Sequence, residues 1–291
     1  VASAQENGTG EPRQTEAPER LGDIIERWEL PALPAVAKTV LGMMDRPDLN
    51  LRTLSGVLSD DPVISARILA ISRSACHGQR ILPTTLQAAL QVIGLRNLRN
   101  VIVSIVTHGV FSFRGPVAAA LWSHSLAVAL SGRILSARLK KIDPEQAFLA
   151  GLLHDAGQMI FLKRDQDAYT QIASGAKDSA QLMEAEQEHY HCGHGVVGAA
   201  LIDSWKLDTA IGEALRAHHN QPKIDPESLG AVLTISDYLA FRVGLGFMAP
   251  APAPSPEMLR SFALENEEAV AQIAAQLLQA FNAESVLLKA A

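Results

Sequence analysis

Cysteine is almost missing from this chain: there are two, Cys76 and Cys192, and they form no C-x-x-C pair. That excludes a disulfide-built secreted scaffold and a zinc ribbon, and it predicts a reducing, cytoplasmic setting. Aromatic residues are scarce too, at 5% of 291 positions, and strand-like alternation is nowhere sustained. Positive charge is not in excess. Lys and Arg number 25 against 31 Asp and Glu, a net charge of −6, so no global field collects nucleic acid or an anionic membrane. The most apolar stretches, Val101 to Phe111 and Val117 to Leu130, are shorter than a membrane span and are interrupted by Ser104, His108, Ser123 and His124. They read as buried helices. Residues 1–20 lack the basic and apolar regions of a signal peptide. A start on Val1 rather than Met reads as a fragment, with residues 1–20 a polar linker from something upstream. Walker A, G-x-G-x-x-G, G-x-S-x-G and H-E-x-x-H motifs are all missing, which leaves the common nucleotide-binding and hydrolase templates unsupported.

What the chain has in quantity is Ala (44) and Leu (37), within a composition that is 48% hydrophobic and 19% charged. That balance predicts a folded, all-α protein. Helix punctuation agrees. Pro34 precedes Val36, Val40, Met43 and Met44 at one-face spacing; Asn50 is a cap for Leu51, Leu54 and Leu58; Asp61-Pro62 is an N-cap with an N1 proline before Ile64, Ile68 and Ile71. Two further helices, either side of Gly94, bring the expected number before residue 111 to five. A turn at Arg114-Gly115-Pro116 separates this block from a long helix over Val117 to Leu139. Asp143-Pro144, with Gln146 as capping-box partner, opens a helix expected to end near Gly157. Further helices are predicted over Asp178 to Tyr190, His194 to Trp205, Asp208 to His218 and Pro226 to Val243. The Ala-Pro run 249–256 reads as a semi-rigid linker, and 257–291 as a helical segment beyond it that packs back or meets a partner.

His154-Asp155 stands near the end of a helix made otherwise of Leu, Ala and Gly. Helix neighbours diverge by about 100°, so the two reach one ion only at a terminated end, which Gly157 permits. His124 and Asp237 are each set in an apolar helix and are costly to bury alone. Brought together, two imidazoles and two carboxylates suit a divalent metal (Fe, Mn, Mg or Ni), and His194, His218 and His219 would enlarge the site toward two ions. The same residues read equally well as a structural polar cluster, each satisfied by a carbonyl, a cap or an ion pair. His189, His191 and Cys192 offer a local alternative site or a solvated loop, and Asp60-Asp61 is either acid chemistry or a helix cap.

Taken in order, Leu30-Pro31-Ala32-Leu33-Pro34, Asp60-Asp61-Pro62-Val63-Ile64-Ser65-Ala66-Arg67-Ile68-Leu69, Ala88 to Leu95, Gly151-Leu152-Leu153-His154-Asp155-Ala156-Gly157, His194 to Ala199, Trp205 and His218-His219 resemble the signatures of the bacterial HDOD family, the HD-related output domain. The resemblance covers about Leu21 to Asp237. It implies an N-terminal helical bundle (21–114) packed on an HD-like helical bundle (115–248), and a role as a signal-transduction output module, often of a response regulator, with a signalling protein as partner and an upstream receiver domain. HDOD modules resemble HD phosphohydrolases without established catalysis. Here His124, His154, Asp155 and Asp237 match the order of the HD metal ligands, and His194 and His218 match extra histidines of the HD-GYP phosphodiesterases. Gln158 replaces the Lys of H-D-x-G-K, and no G-Y-P follows His219, so charge stabilisation of a phosphoryl substrate is weakened. Two readings follow: a regulatory interaction module, or a metal-dependent phosphohydrolase acting on a nucleotide or cyclic dinucleotide. The basic residues Arg96, Arg99, Arg114, Arg138, Lys140 and Lys141 are too sparse for nucleic acid and read as solvated helix ends.

Overall fold

The computed structural model describes residues 21–44, 46, 48–75, 82–111, 115–140, 142–219 and 225–289. The expected linker 1–20, Cys76, Arg114 and Lys141 lie outside them. Among the described residues the fold is all-α, sixteen helices with no strand.

Five helices build the N-terminal bundle: α2 (Ala35–Met43), α3 (Leu51–Leu58), α4 (Pro62–Ala75), α5 (Leu86–Ile93) and α6 (Leu95–Val110). Asn50 accepts the Thr53 amide, and Asp61 Oδ1 accepts those of Val63 and Ile64 at 2.9 and 3.0 Å. The second acid of the Asp60-Asp61 pair is thus a cap. Gly94, at φ 77°, breaks α5 from α6, which turns away by 109°. Glycine takes that backbone without steric cost, so one apolar stripe becomes two helices.

One more helix precedes this bundle, where the sequence predicts none. α1 (Leu21–Trp28) lies against the other half of the molecule. Trp28 is buried with its ring 4.8 Å from Phe161 and 5.4 Å from Tyr190.

The C-terminal half is threaded by α7 (Pro116–Leu139), which packs against α8 (Pro144–Leu153) and α14 (Leu229–Arg242). Taken as a single helix, α7 is long and apolar enough by composition to cross a membrane, yet it runs through the protein core. Around it stand α9 (Ala156–Arg164), α10 (Gln166–Gly175), α11 (Ser179–Tyr190), α12 (His194–Ser204) and α13 (Thr209–Ala217). Asp143, Asp165, Asp178, Asp208 and Ser228 cap α8, α10, α11, α13 and α14. Gln146 does not close the expected capping box; its amide reaches across to Asp208 Oδ2 at 2.8 Å.

Beyond α14 the chain stays on the body. Ser179 donates its amide to Ala249 O at 2.9 Å, and its hydroxyl accepts the Ala251 amide at 2.9 Å. The proline-rich run is therefore held against the start of α11. α15 (Pro256–Ser261) and α16 (Glu267–Lys289) follow, and Met258, Phe262, Leu264, Val270, Ile273 and Leu277 are buried. α16 packs on α7 and α14 and touches α4, so one continuous apolar core joins both bundles.

Candidate metal centre

α8 ends at Leu153, earlier than Gly157, and α9 starts at Ala156, so His154 and Asp155 occupy the turn between them. Both side chains then aim at one point, with His154 Nε2 3.2 Å from Asp155 Oδ2. Gly157 lies inside α9 and serves close approach: a Cβ there would stand 2.0 Å from the His194 carbonyl oxygen. The missing side chain lets the first turn of α9 abut the first turn of α12, which brings His194 Nε2 to 3.4 Å from Asp155 Oδ1. Gly151 acts likewise against α7, where a Cβ would meet Ala129 backbone at 2.7 Å. That contact sets His124, on α7, with its Nε2 3.2 Å from His154 Nε2. Asp237, on α14, has Oδ1 3.4 Å from His124 Nε2, and His218, at the end of α13, has Nε2 3.8 Å from Asp155 Oδ1. The structure thus brings together all six predicted residues, His124, His154, Asp155, His194, His218 and Asp237, and buries every one.

Four imidazoles are oriented the same way. Each Nδ1 is tied to an acceptor: His124 to Leu245 O at 3.2 Å, His154 to Gly151 O at 2.8 Å, His218 to Leu215 O at 2.7 Å and His194 to Glu186 Oε2 at 2.7 Å. Donation from Nδ1–H turns each Nε2 toward Asp155, where a neutral imidazole presents its lone pair, the arrangement that outer partners impose on ligating histidines. Two such lone pairs facing each other at 3.2 Å, His124 and His154, repel unless a proton or a cation lies near them. Asp155 Oδ1, His194 Nε2 and His218 Nε2 are buried without a hydrogen-bond partner. The donor set fits metal in two overlapping groups that share Asp155: His124 and His154 on one side, and His194, His218 and His219 on the other.

Burial pushes His124 down to about 4 and His218 down to about 3, with the neighbouring His154 adding to both. Burial also opposes charge on His194, but Glu186 at its Nδ1 outweighs it and lifts this imidazole to about 9. His154 is raised by Asp155 against the same burial. Against its own burial, the imidazoles led by His154 hold Asp155 ionised, well below the usual carboxylate range. Asp237 is carried up to about 7 by burial, with the charge of Asp155 adding to it. One firmly ionised acid among imidazoles is a site that trades protons for a cation.

Glu186, Tyr169 and Gln158 complete the surroundings and were not singled out as a set by the sequence. Glu186 is wholly buried and also accepts the His194 backbone amide at 2.9 Å. Tyr169 OH lies 2.8 Å from Glu186 Oε1 and 2.9 Å from Gln158 Oε1; its one proton goes to the carboxylate, the stronger acceptor. Glu186 stands between Leu182 and Tyr190 at i, i+4 and i+8, the one acid of α11 on its buried stripe. That spacing was the available signal. The His189-His191-Cys192 alternative does not assemble: Cys192 is buried with Sγ toward Tyr190 O at 3.6 Å, and the metal-capable groups among the described residues exclude all three.

The cluster is enclosed. The space beside it is about 10 Å³, lined on one side by Phe247 and Met248 of the segment that follows α14.

The sequence model of the HDOD domain matches residues 30–221. An uncharacterized protein of Treponema pallidum is 23% identical over 280 residues, 93% of this chain and 53% of its own, so the chain spans about half the length of that relative. Among solved structures, a Shewanella amazonensis protein provisionally named a phosphohydrolase shares 23% identity at a TM-score of 0.71, covering 91% of this chain and 97% of that one. A Marinobacter aquaeolei protein provisionally named for signal transduction shares 18% identity at a TM-score of 0.70, covering 91% of this chain and 60% of that one. With the matched span taking in both bundles and the His154-Asp155 turn, the chain belongs to the HDOD domain family.

Proposed function

We propose that this chain is a regulatory module of signal transduction in which the buried His-Asp cluster holds divalent metal as a closed centre, and that its output is a change in contact with a signalling protein partner. His124, His154, Asp155 and Asp237 would hold one ion; Asp155, His194, His218 and His219 would hold a second. A bound divalent ion supplies Lewis acidity and lowers the pKa of a coordinated water. The chain's own residues work against its use in turnover. Phe247 and Met248 narrow the approach to the cluster, and Gln158 offers an amide where an HD-GYP enzyme has a cation. The observation that carries this reading is the enclosure: about 10 Å³ admits on the order of one water and no phosphoester substrate.

Elemental analysis of the purified protein, followed by hydrolysis of bis-p-nitrophenyl phosphate with Mn²⁺ or Fe²⁺, tests it. The expected result is retained metal with hydrolysis at background. A second reading, a metal-dependent phosphohydrolase, draws support from the unpartnered Asp155 Oδ1, His194 Nε2 and His218 Nε2 and from the name of the Shewanella relative. Turnover abolished by Asp155→Ala would establish that reading, and a metal-free, folded protein would remove both.

A further inference from the structure

A hollow far larger than the space at the metal centre lies elsewhere in the molecule. A cleft of about 880 Å³ lies between the two bundles, within the size range of sites that take nucleotide-sized ligands. One wall comes from the end of α2 and the start of α6, the other from the starts of α8 and α13. Although the chain is acidic overall, four cations line it: Arg46, Arg96, Arg99 and Lys206. Among the described residues the side chains of Arg46, Arg96 and Lys206 have no hydrogen bond or ion pair.

The acids of the cleft also hold structural hydrogen bonds. Asp143 accepts the Glu145 and Gln146 amides, Asp208 accepts the Ala210 amide and the Gln146 side chain, and Glu145 Oε2 accepts Asn100 at 2.6 Å and Arg133 at 3.2 Å. Glu145 is paired with Arg133, while Asp143 and Asp208 keep their charge, so among the described residues four cations of the cleft face two carboxylates that no cation neutralises. Arg96 and Arg99, three apart on α6, share a face, and guanidinium forks match phosphate oxygens. Leu95, Leu149, Leu207 and Ile211 add an apolar surface beside the charges.

We propose that this cleft binds a small polyphosphate ligand, its phosphates on Arg96, Arg99, Arg46 and Lys206 and any nucleoside portion against the leucines. Because its walls belong to different bundles, occupancy would fix their relative position.

Titration calorimetry in EDTA, with ATP and inorganic tripolyphosphate as separate probes, tests this. Both are expected to bind, more weakly as salt is added. Arg96→Ala and Lys206→Gln, exposed and on opposite walls, should each weaken both probes about tenfold, the loss of about one charge-assisted contact. Arg216→Ala, outside the cleft, should leave both unchanged, and so should Asp155→Ala, which separates this site from the metal centre. Leu95→Ala weakening ATP alone identifies a nucleotide; equal binding of the two probes identifies the phosphate chain by itself. Failure of both probes to bind at about 1 mM, or binding indifferent to both cation substitutions, overturns the proposal.

Discussion

Glu186 and Gly157 are where single atoms matter most. Glu186 holds His194 through Nδ1, and outer partners of this kind are worth about 10–100-fold in metal affinity. Glu186→Gln is therefore expected to weaken Mn²⁺ binding by about that factor while the fold persists, as read by calorimetry. The proton that Glu186 keeps on His194 up to about 9 must leave Nε2 when an ion arrives. Metal uptake at neutral pH should release about one proton from this residue, and affinity should rise about tenfold per pH unit toward 9; titration in buffers of different ionisation enthalpy measures both. In the metal-free protein the same raised value stabilises the fold fully below about 6.5, an ordinary imidazole's value, and that contribution fades as pH climbs through about 9. Gly157→Ala places a methyl against the His194 carbonyl, a backbone atom with little room to retreat. Denaturant unfolding should report a loss of about 1–3 kcal/mol or more.

Among the helices, those with loud punctuation were legible in the sequence. Asn50, Asp61 and Asp143 each cap where the residue pattern places a cap, because an acid or amide before an apolar stripe satisfies amides that nothing else reaches. α10 was not legible: only Tyr169 and Ala173 of Gln166–Gly175 are buried, too few to mark a stripe. α1 was hidden for a different reason, since its partners Phe161 and Tyr190 are more than a hundred residues away. The converging histidines and aspartates were visible as costly residues in apolar helices, whereas Glu186 was one acid among several until burial selected it. The segment carrying Phe247 and Met248 was invisible, because two apolar residues outside a helical stripe say nothing of what they cover. Its effect is measurable: Phe247→Ala with Met248→Ala should open the centre and speed removal of bound Mn²⁺ by EDTA, with circular dichroism unchanged.

At the level of the whole molecule, metal and fold are linked. An ion that binds the assembled cluster and not the unfolded chain adds about 2.7 kcal/mol at a hundredfold excess over its dissociation constant. EDTA is accordingly expected to lower the melting temperature by several degrees, and Asp155→Ala to abolish that difference.

The cluster reaches past the family's own borders. Asp237, the Leu245 carbonyl that orients His124, and Phe247 all fall after residue 221, while Trp28 falls before residue 30. A shortened polypeptide trimmed to the recognisable span would discard a would-be ligand, a tautomer-setting carbonyl and the roof together. Such a piece would leave its remaining imidazoles open to water, and an inactive or metal-free result obtained with it would report on the scissors and not on the protein.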